Sequence, residues 1–412
     1  MKNMVRRTPS ILQNLPQRAI FLLLLFLANT FLHAQENPLD KIMQSQACKI
    51  KTVVDQLDQH QVQVLYLSVK RDEKNQPSFT AHRFQQEDSL YFYPASTVKL
   101  PIAVLALQKI KQLNAQGIAI RLNTPFHILD PETKKYVQQQ DSTHPKQELT
   151  IGHLIKKIFL VSDNDAYNYL FDFIGKTEIN AALKRIGIEH TVIRHKFLFG
   201  ADNQNTWEYV FFNNKDTLYN QKSIHSKQIE RVNLKSQKKG KAYLSSGEKV
   251  LEPMDFSFKN WMALSAHLEV IKRLIFPNSY TPAERFDLTT EQLEFLRFWM
   301  SRNTKESQIT QYNNSEEYYD SYGKFFLYGD TKGEMRQDLR IYNKVGYAYG
   351  TLTDVAYIND TEKGIEFLLA ATVLVNENQT FNDNIYEFET KGIPFLAEIG
   401  RQLYAHELQQ KQ

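Results

Sequence analysis

A chain of 412 residues, 42% hydrophobic and 23% charged, is long enough to bury a sizeable core and has ordinary globular composition, which excludes a disordered or fibrous class. Its net charge of +4 comes from the first 34 residues, where Lys2, Arg6, Arg7 and Arg18 stand without an acidic residue; without them the 50 basic residues fall to 46, equal to the 46 acidic ones. A neutral remainder argues against nucleic acid as the main partner, and the single cysteine, Cys48, excludes an intrachain disulfide and any Cys/His metal cluster.

In chain order, the basic start is followed by the apolar run Ala19 to Ala28 and by Asn29 to Ala34. That order reads as a secretory signal peptide over 1–34, cut near Ala34, which predicts a periplasmic location. The run falls short of the roughly 20 apolar residues of a spanning helix, so no stable membrane insertion is expected after cleavage. Leu39 to Gln59 has helical periodicity and is predicted to bury Cys48. Gln61 to Lys70 alternates as a strand does, and Phe79 to Phe84 and Asp88 to Tyr93 are predicted as short strands. Leu100 to Leu113 is a buried helix with Pro101 in its first turn.

Leu149 to Leu160 and Asp165 to Ile174 are predicted helices separated by the turn Ser162-Asp163-Asn164; Ile179 to Ile186 is another, stopped by Gly187. The stretch from Asn203 to Pro253 is polar and rich in lysine, without a strong period, and 206–254 is read as a solvated insertion. Helix returns at Ser265 to Ile275 and Thr290 to Met300. Three strands follow at Leu339 to Tyr347, Thr353 to Ile358 and Glu366 to Val375, then a closing helix over Ile385 to Leu408 with Pro394 as an interruption. Strands at both ends with helices between predict one sheet split in sequence, with a helical subdomain (about 100–325) inserted into a domain spanning 35–412.

Three short motifs stand out: Ser96-Thr97-Val98-Lys99, Ser162-Asp163-Asn164 and Lys344-Val345-Gly346. The S-x-x-K spacing occurs four times, at Ser96/Lys99, Ser236/Lys239, Ser246/Lys249 and Ser321/Lys324, and only Ser96 opens an apolar helix. There one helical turn puts Lys99 on the face of Ser96, and a serine hydroxyl needs such a base to become a nucleophile. Burial and a second cation, Lys344, would depress the amine's pKa. Ser162 is suited to pass a proton to a leaving nitrogen, Asn164 to hold Lys99 or a substrate amide, and Asp163 to brace the turn. Lys344 is placed to attract a substrate carboxylate and Gly346 to let a substrate backbone approach. The backbone N–H groups of Ser96 and Tyr347 are the expected oxyanion donors.

Together these motifs resemble the penicillin-recognising serine hydrolases, most closely the class A β-lactamases, whose set is S-x-x-K, S-D-N and K-T-G. Lys344 to Ile358 and Leu149 to Arg194 extend the likeness. The resemblance implies an α/β sandwich, an antiparallel sheet flanked by helices, plus an inserted all-helical subdomain, with the site at their junction. It implies Ser96 as acylated nucleophile, Lys99 as its activating partner, Ser162 as proton shuttle, and Asn164, Lys344, Gly346 and Tyr347 as substrate-binding. The substrate would be a small molecule or a peptidoglycan-like amide, with no cofactor and no metal.

Two departures qualify the activity. Where the family carries the glutamate that activates the deacylating water, the spacing puts Phe199, with Asn203 matching the asparagine after it; Asp202 and Glu208 do not fit. Val345 replaces a hydroxyl residue. A serine hydrolase of amides is the expected activity, with a slowly deacylating or silent cell-wall-binding relative as the alternative.

Overall fold

Alternation along Gln63–Arg71 turns Val64 and Tyr66 to one side and Leu65, Leu67 and Val69 to the other, and all five are buried. A strand apolar on both faces must lie inside a sheet covered on both sides. In the computed structural model, which describes residues 37–411 apart from Lys215 and Ser315, this strand sits second from one edge of a five-stranded sheet. The order across it is Leu339–Ala348, Thr351–Asp360, Ile365–Leu374, Gln63–Arg71, Pro77–Phe84, antiparallel throughout. The chain's two ends thus share one sheet. The signal-peptide expectation over 1–34 lies outside the described residues; among the described residues no helix is long and apolar enough to cross a membrane.

One face packs Val64, Tyr66, Leu369 and Ala371 against Leu39, Ile50 and Val53 of the N-terminal helices and Phe395, Ile399 and Leu403 of the closing helix Ile393–Gln410. The other packs Leu65, Val355 and Leu368 against Leu268 and Ile271 of Leu264–Ile275, and continues into the inserted region through the Lys99–Ala115 helix. From Leu100 to Leu107 that helix is apolar on all sides because it is enclosed on all sides.

Several expectations are corrected. Leu39 to Gln59 is three short helices, Pro38–Met43, Cys48–Val54 and Leu57–His60, and Cys48 is exposed, because it opens the second of them rather than lying on its buried face. Asp88 to Tyr93 forms no strand beyond a bridge from Leu90 to Lys235. The closing helix starts as a π-turn at Phe388–Gly392 and becomes α-helical at Ile393–Gln410, so Pro394 lies at the change, in the first α-turn where its missing N–H is tolerated. The inserted region carries an antiparallel sheet besides its helices, in the order Tyr136–Gln138, Phe126–Leu129, Glu208–Asn213, Asp216–Gln221. The stretch 206–254 is therefore only partly a solvated insertion: Tyr209 and Phe211 are in the main core, and Lys239 is buried.

Candidate active site

The Ala95–Val98 3₁₀ turn feeds directly into the Lys99–Ala115 helix and carries Ser96 at the junction. Ala95 before it has φ of +47°, a left-handed conformation that a residue with a Cβ adopts at a cost of about 1–2 kcal/mol. The turn is held by the Thr97 hydroxyl, 2.6 Å from both Pro94 O and His267 Nε2. Gly346, on the edge strand, packs onto it: a Cβ at that position would stand 2.6 Å from Pro94 O and 2.7 Å from the amide nitrogens of Ser96 and Thr97.

The edge strand's polarity follows from its hairpin. Tyr349 and Gly350, with φ of +52° and +69°, form a two-residue turn closed by the pair Ala348↔Thr351. A two-residue turn of this kind closes on a hydrogen-bonded pair, so Ala348, Gly346 and Lys344 bond inward to Thr351–Asp360. Val345 and Tyr347 then point their N–H and C=O groups to the free edge, beside the Ser96 turn.

Ser162 ends the Ile151–Leu160 helix in a left-handed conformation (φ +55°), and Asn164 opens the Asn164–Ile174 helix. Asp163 caps that helix, accepting from Ala166 N at 2.7 Å, and pairs with Lys157 at 3.1 Å, which braces the turn as expected. Ser96, Ser162, Asn164, Lys344 and Tyr347 line one cavity of about 450 Å³. Lys99 lies behind it. Its Nζ donates to Asn164 Oδ1 at 2.7 Å and to the Ser162 carbonyl, and stands 3.4 Å from Ser162 Oγ; these contacts are to the second motif rather than to the Ser96 hydroxyl. Lys344 Nζ donates to Ser162 Oγ at 2.8 Å and to Val345 O at 2.8 Å. The Ser162 hydroxyl is thus flanked by two amines.

Both amines are buried. Burial, opposed by the Asp163 and Asp165 charges, brings the Lys99 pKa down to about 7; burial and the neighbouring Lys99 push Lys344 well below the ordinary range. A neutral amine has two N–H donors and one lone pair. With its donors on Ser162 O and Asn164 Oδ1, neutral Lys99 has its lone pair left to accept a proton.

The loop after the second motif differs from expectation. Phe199, counted into the glutamate position, is fully exposed, whereas Phe197 faces the amine, its ring centroid 5.3 Å from Lys99 Nζ. Phe197 is stacked on Tyr167 at 4.6 Å. The nearby carboxylates are engaged elsewhere: Asp202 caps Gln204 and Asn205, and Glu208 pairs with Lys134. His195 is no substitute base, since Nδ1–H donates to Lys196 O, Nε2 accepts from Asn260 N, and burial lowers its pKa to about 4.

The same loop is pinned by Asn203, which the spacing picks out, and by groups it does not, Asn168 and the Lys196–Asp172 pair. Asn203 accepts from Lys196 N at 2.8 Å, Asn168 from Phe197 N at 2.7 Å, and the Lys196 ammonium forms a buried pair with Asp172 at 2.9 Å. Lys196→Met would leave the buried Asp172 carboxylate with only the long bond from Trp207 N at 3.5 Å, with an expected loss of about 3–5 kcal/mol. Thermal melting checks this, and Lys196→Met with Asp172→Leu should recover much of the loss.

The other S-x-x-K pairs are not all solvated. Ser236 Oγ lies 3.4 Å from buried Lys239 Nζ, and Lys324 is buried beneath the site, donating to Met300 O, Ile341 O and Asn343 Oδ1. Neither lines the cavity. Asn343 also donates to Asp354 Oδ1 at 2.8 Å, and the alternate carboxylate oxygen accepts from Phe325 N and Phe326 N. Asp354, a carboxylate amid an apolar strand, was the one sequence signal of this buried network.

Burial brings Lys99, Lys239 and Lys324 each to about 7. Unfolded lysines keep their protons to about 10.4. Between these values the unfolded chain binds more protons, so stability rises with pH. We expect a gain between pH 7 and 9 of about 1 kcal/mol or more per lysine, read as a rising melting midpoint; a flat or falling curve would contradict it.

The model of a beta-lactamase enzyme family matches residues 44–240, which hold the first two motifs and the pinned loop. Among solved structures the chain is similar to a beta-lactamase from Sphaerobacter thermophilus DSM 20745, at 13% identity, covering 88% of this chain and 96% of that one with a TM-score of 0.47. It is likewise similar to a beta-lactamase from Burkholderia ambifaria (14%, 85% and 95%, 0.47) and to PBP-A (13%, 90% and 97%, 0.47). No curated protein matches the chain.

Proposed function

We propose that this β-lactamase-like chain is an exported, periplasmic serine hydrolase that acylates itself on Ser96 with a β-lactam or peptidoglycan-like amide and deacylates slowly. The observation that carries the reading is the Ser162 hydroxyl held between two buried amines, Lys99 and Lys344, in one cavity with Ser96. In the first step Ser96 Oγ bonds to the amide carbon while Lys99 takes the hydroxyl proton. The negative charge on the carbonyl oxygen is met by the N–H groups of Ser96 and Tyr347. The proton passes from Lys99 through Ser162 to the nitrogen, and the C–N bond breaks. Lys344 keeps Ser162 oriented, and Asn164 keeps Lys99 in reach. Gly346 lets the edge strand approach the acylation site.

Hydrolysis of the acyl-serine needs a base for water. Phe197 occupies the loop position facing Lys99, which supports slow release.

A chromogenic cephalosporin tests the proposal. The expected progress curve is a burst equal to the enzyme concentration followed by slow turnover. The burst rate should rise with pH through about 7, because the acting form of Lys99 is the neutral amine. Sustained fast turnover would overrule slow deacylation; no burst at any pH would overrule acylation of these donors.

A further inference from the structure

The turn that carries the second motif is tied to a charged cluster behind the site. Lys157 Nζ lies 2.9 Å from Asp141 Oδ2 and 3.1 Å from Asp163 Oδ2, so one cation serves two carboxylates. The other oxygens are fixed as well. Asp163 Oδ1 accepts from Ala166 N at 2.7 Å, and Asp141 Oδ1 accepts from Thr143 N at 3.0 Å and from the Thr143 hydroxyl at 2.6 Å. Asp163 directly follows Ser162, whose carbonyl accepts from Lys99 Nζ, so this carboxylate stands on the segment that holds the proposed base.

Burial lowers the Lys99 pKa, and the Asp163 charge is the larger of two that oppose it; the other is exposed Asp165 on the same helix. From the edge strand Lys344 faces Lys99, pushed well below the ordinary range by burial and by Lys99, with Asp354 and Lys324 acting on it in turn. Around Lys157, burial lowers His153 to about 4, lowers His144 and Lys156, and raises Tyr169 and Tyr312 to about 12. Burial acts against the charge on Lys157, yet Asp163 and Asp141 hold it above the ordinary lysine range. Burial likewise opposes the charge on Asp141, yet Thr143 and Lys157 hold it below the usual carboxylate range. Lys157 and Asp141 therefore keep their charges across the pH range in which Lys99 titrates.

We propose that Lys157 is a positioning residue for acylation: paired with Asp163, it limits the pull of that carboxylate on the Lys99 ammonium, so that Lys99 is a free base near neutral pH. The proposal rests on the Ser96 acylation reading for its consequence in catalysis, but the charge relation itself can be tested apart from it.

Two measurements separate them. Lys99 is titrated directly by NMR of the lysine Cε groups in the isotope-labelled full chain, its signal being the one missing from Lys99→Met. The cephalosporin burst rate is followed over the same pH range. D163N keeps a capping side chain at the helix start and leaves Lys157 on Asp141. With one negative charge fewer, it is expected to lower both midpoints from about 7 by about one unit. K157M is expected to raise both by about one unit, and K157M/D163N to fall between the two. A merely structural role would move both single variants upward, since a loosened turn hydrates Lys99 and restores its ammonium. Midpoints unmoved from the parent's, or a rise in D163N, would overturn the proposal; if K157M does not fold, D163N decides alone. The expected shifts of the Lys99 signal with no burst from the parent at any pH would overturn Ser96 acylation and leave the charge relation standing. A burst in the parent with the Lys99 titration unmoved in D163N would do the reverse.

Discussion

Gly346→Ala is expected to lower the rate of acylation by about 10²-fold or more while leaving a folded protein. The added Cβ would stand 2.6–2.7 Å from Pro94 O, Ser96 N and Thr97 N, all backbone atoms of the turn that carries the nucleophile. No flexible side chain is there to give way. Either the turn or the edge strand must retreat, and with it one of the two proposed oxyanion donors, Ser96 N–H or Tyr347 N–H. A displacement near 1 Å in such a constellation costs about two orders of magnitude in rate. The stability cost of the forced shift should be about 1–3 kcal/mol, read by thermal melting. Gly333→Ala is the control: its nearest neighbour would be Thr331 Oγ1 at 3.4 Å, and neither rate nor stability should move much.

Lys99→Met should cost about 10³-fold in acylation, the usual scale for removing a positioned base. Its effect on stability should run the other way. Burial lowers the Lys99 pKa to about 7, so below that pH the fold holds a desolvated charge that methionine would not carry. The variant forfeits hydrogen bonds to Ser162 O and Asn164 Oδ1, which offsets part of the gain. A melting midpoint at pH 6 equal to or above that of the parent, with acylation almost gone, identifies an amine kept for chemistry. A large loss of stability would instead mark Lys99 as structural. Because stability is predicted to rise with pH above 7, the comparison is sharpest at low pH, where the relief is greatest.

The parts of this site legible in the sequence were those whose local pattern carries the geometry. Ser96 lies in a 3₁₀ turn and Lys99 opens the apolar helix that follows, so a spacing of three residues was enough to expect them on one side. Asp163 was readable as a cap because capping is a local act. The C-terminal strands read as apolar runs with β-branched residues, of the kind buried on both faces, and the hairpin at Tyr349-Gly350 then sets which amides of the edge strand are free.

What could not be read depends on contacts between distant segments. Counting residues places Phe199 at the glutamate position, but the loop's path is set by Asn168, Asn203 and the Lys196–Asp172 pair, and it brings Phe197 to Lys99 instead. Lys239 sits among polar neighbours and Lys324 follows a glycine, yet both are buried, Lys324 against carbonyls of Met300 and Ile341 from other elements. The short strand Phe126–Leu129, with Tyr136–Gln138 on one side, gains its sheet from Glu208–Asn213, about eighty residues on.

The most direct test of the central claim is to treat the chain with benzylpenicillin, measure the intact mass over time, and locate the adduct by peptide mapping beside Ser96→Ala. The account predicts one penicilloyl group per chain, on the peptide bearing Ser96, persisting for many minutes and absent from the variant. An adduct on another residue, or equal labelling of the variant, would contradict it.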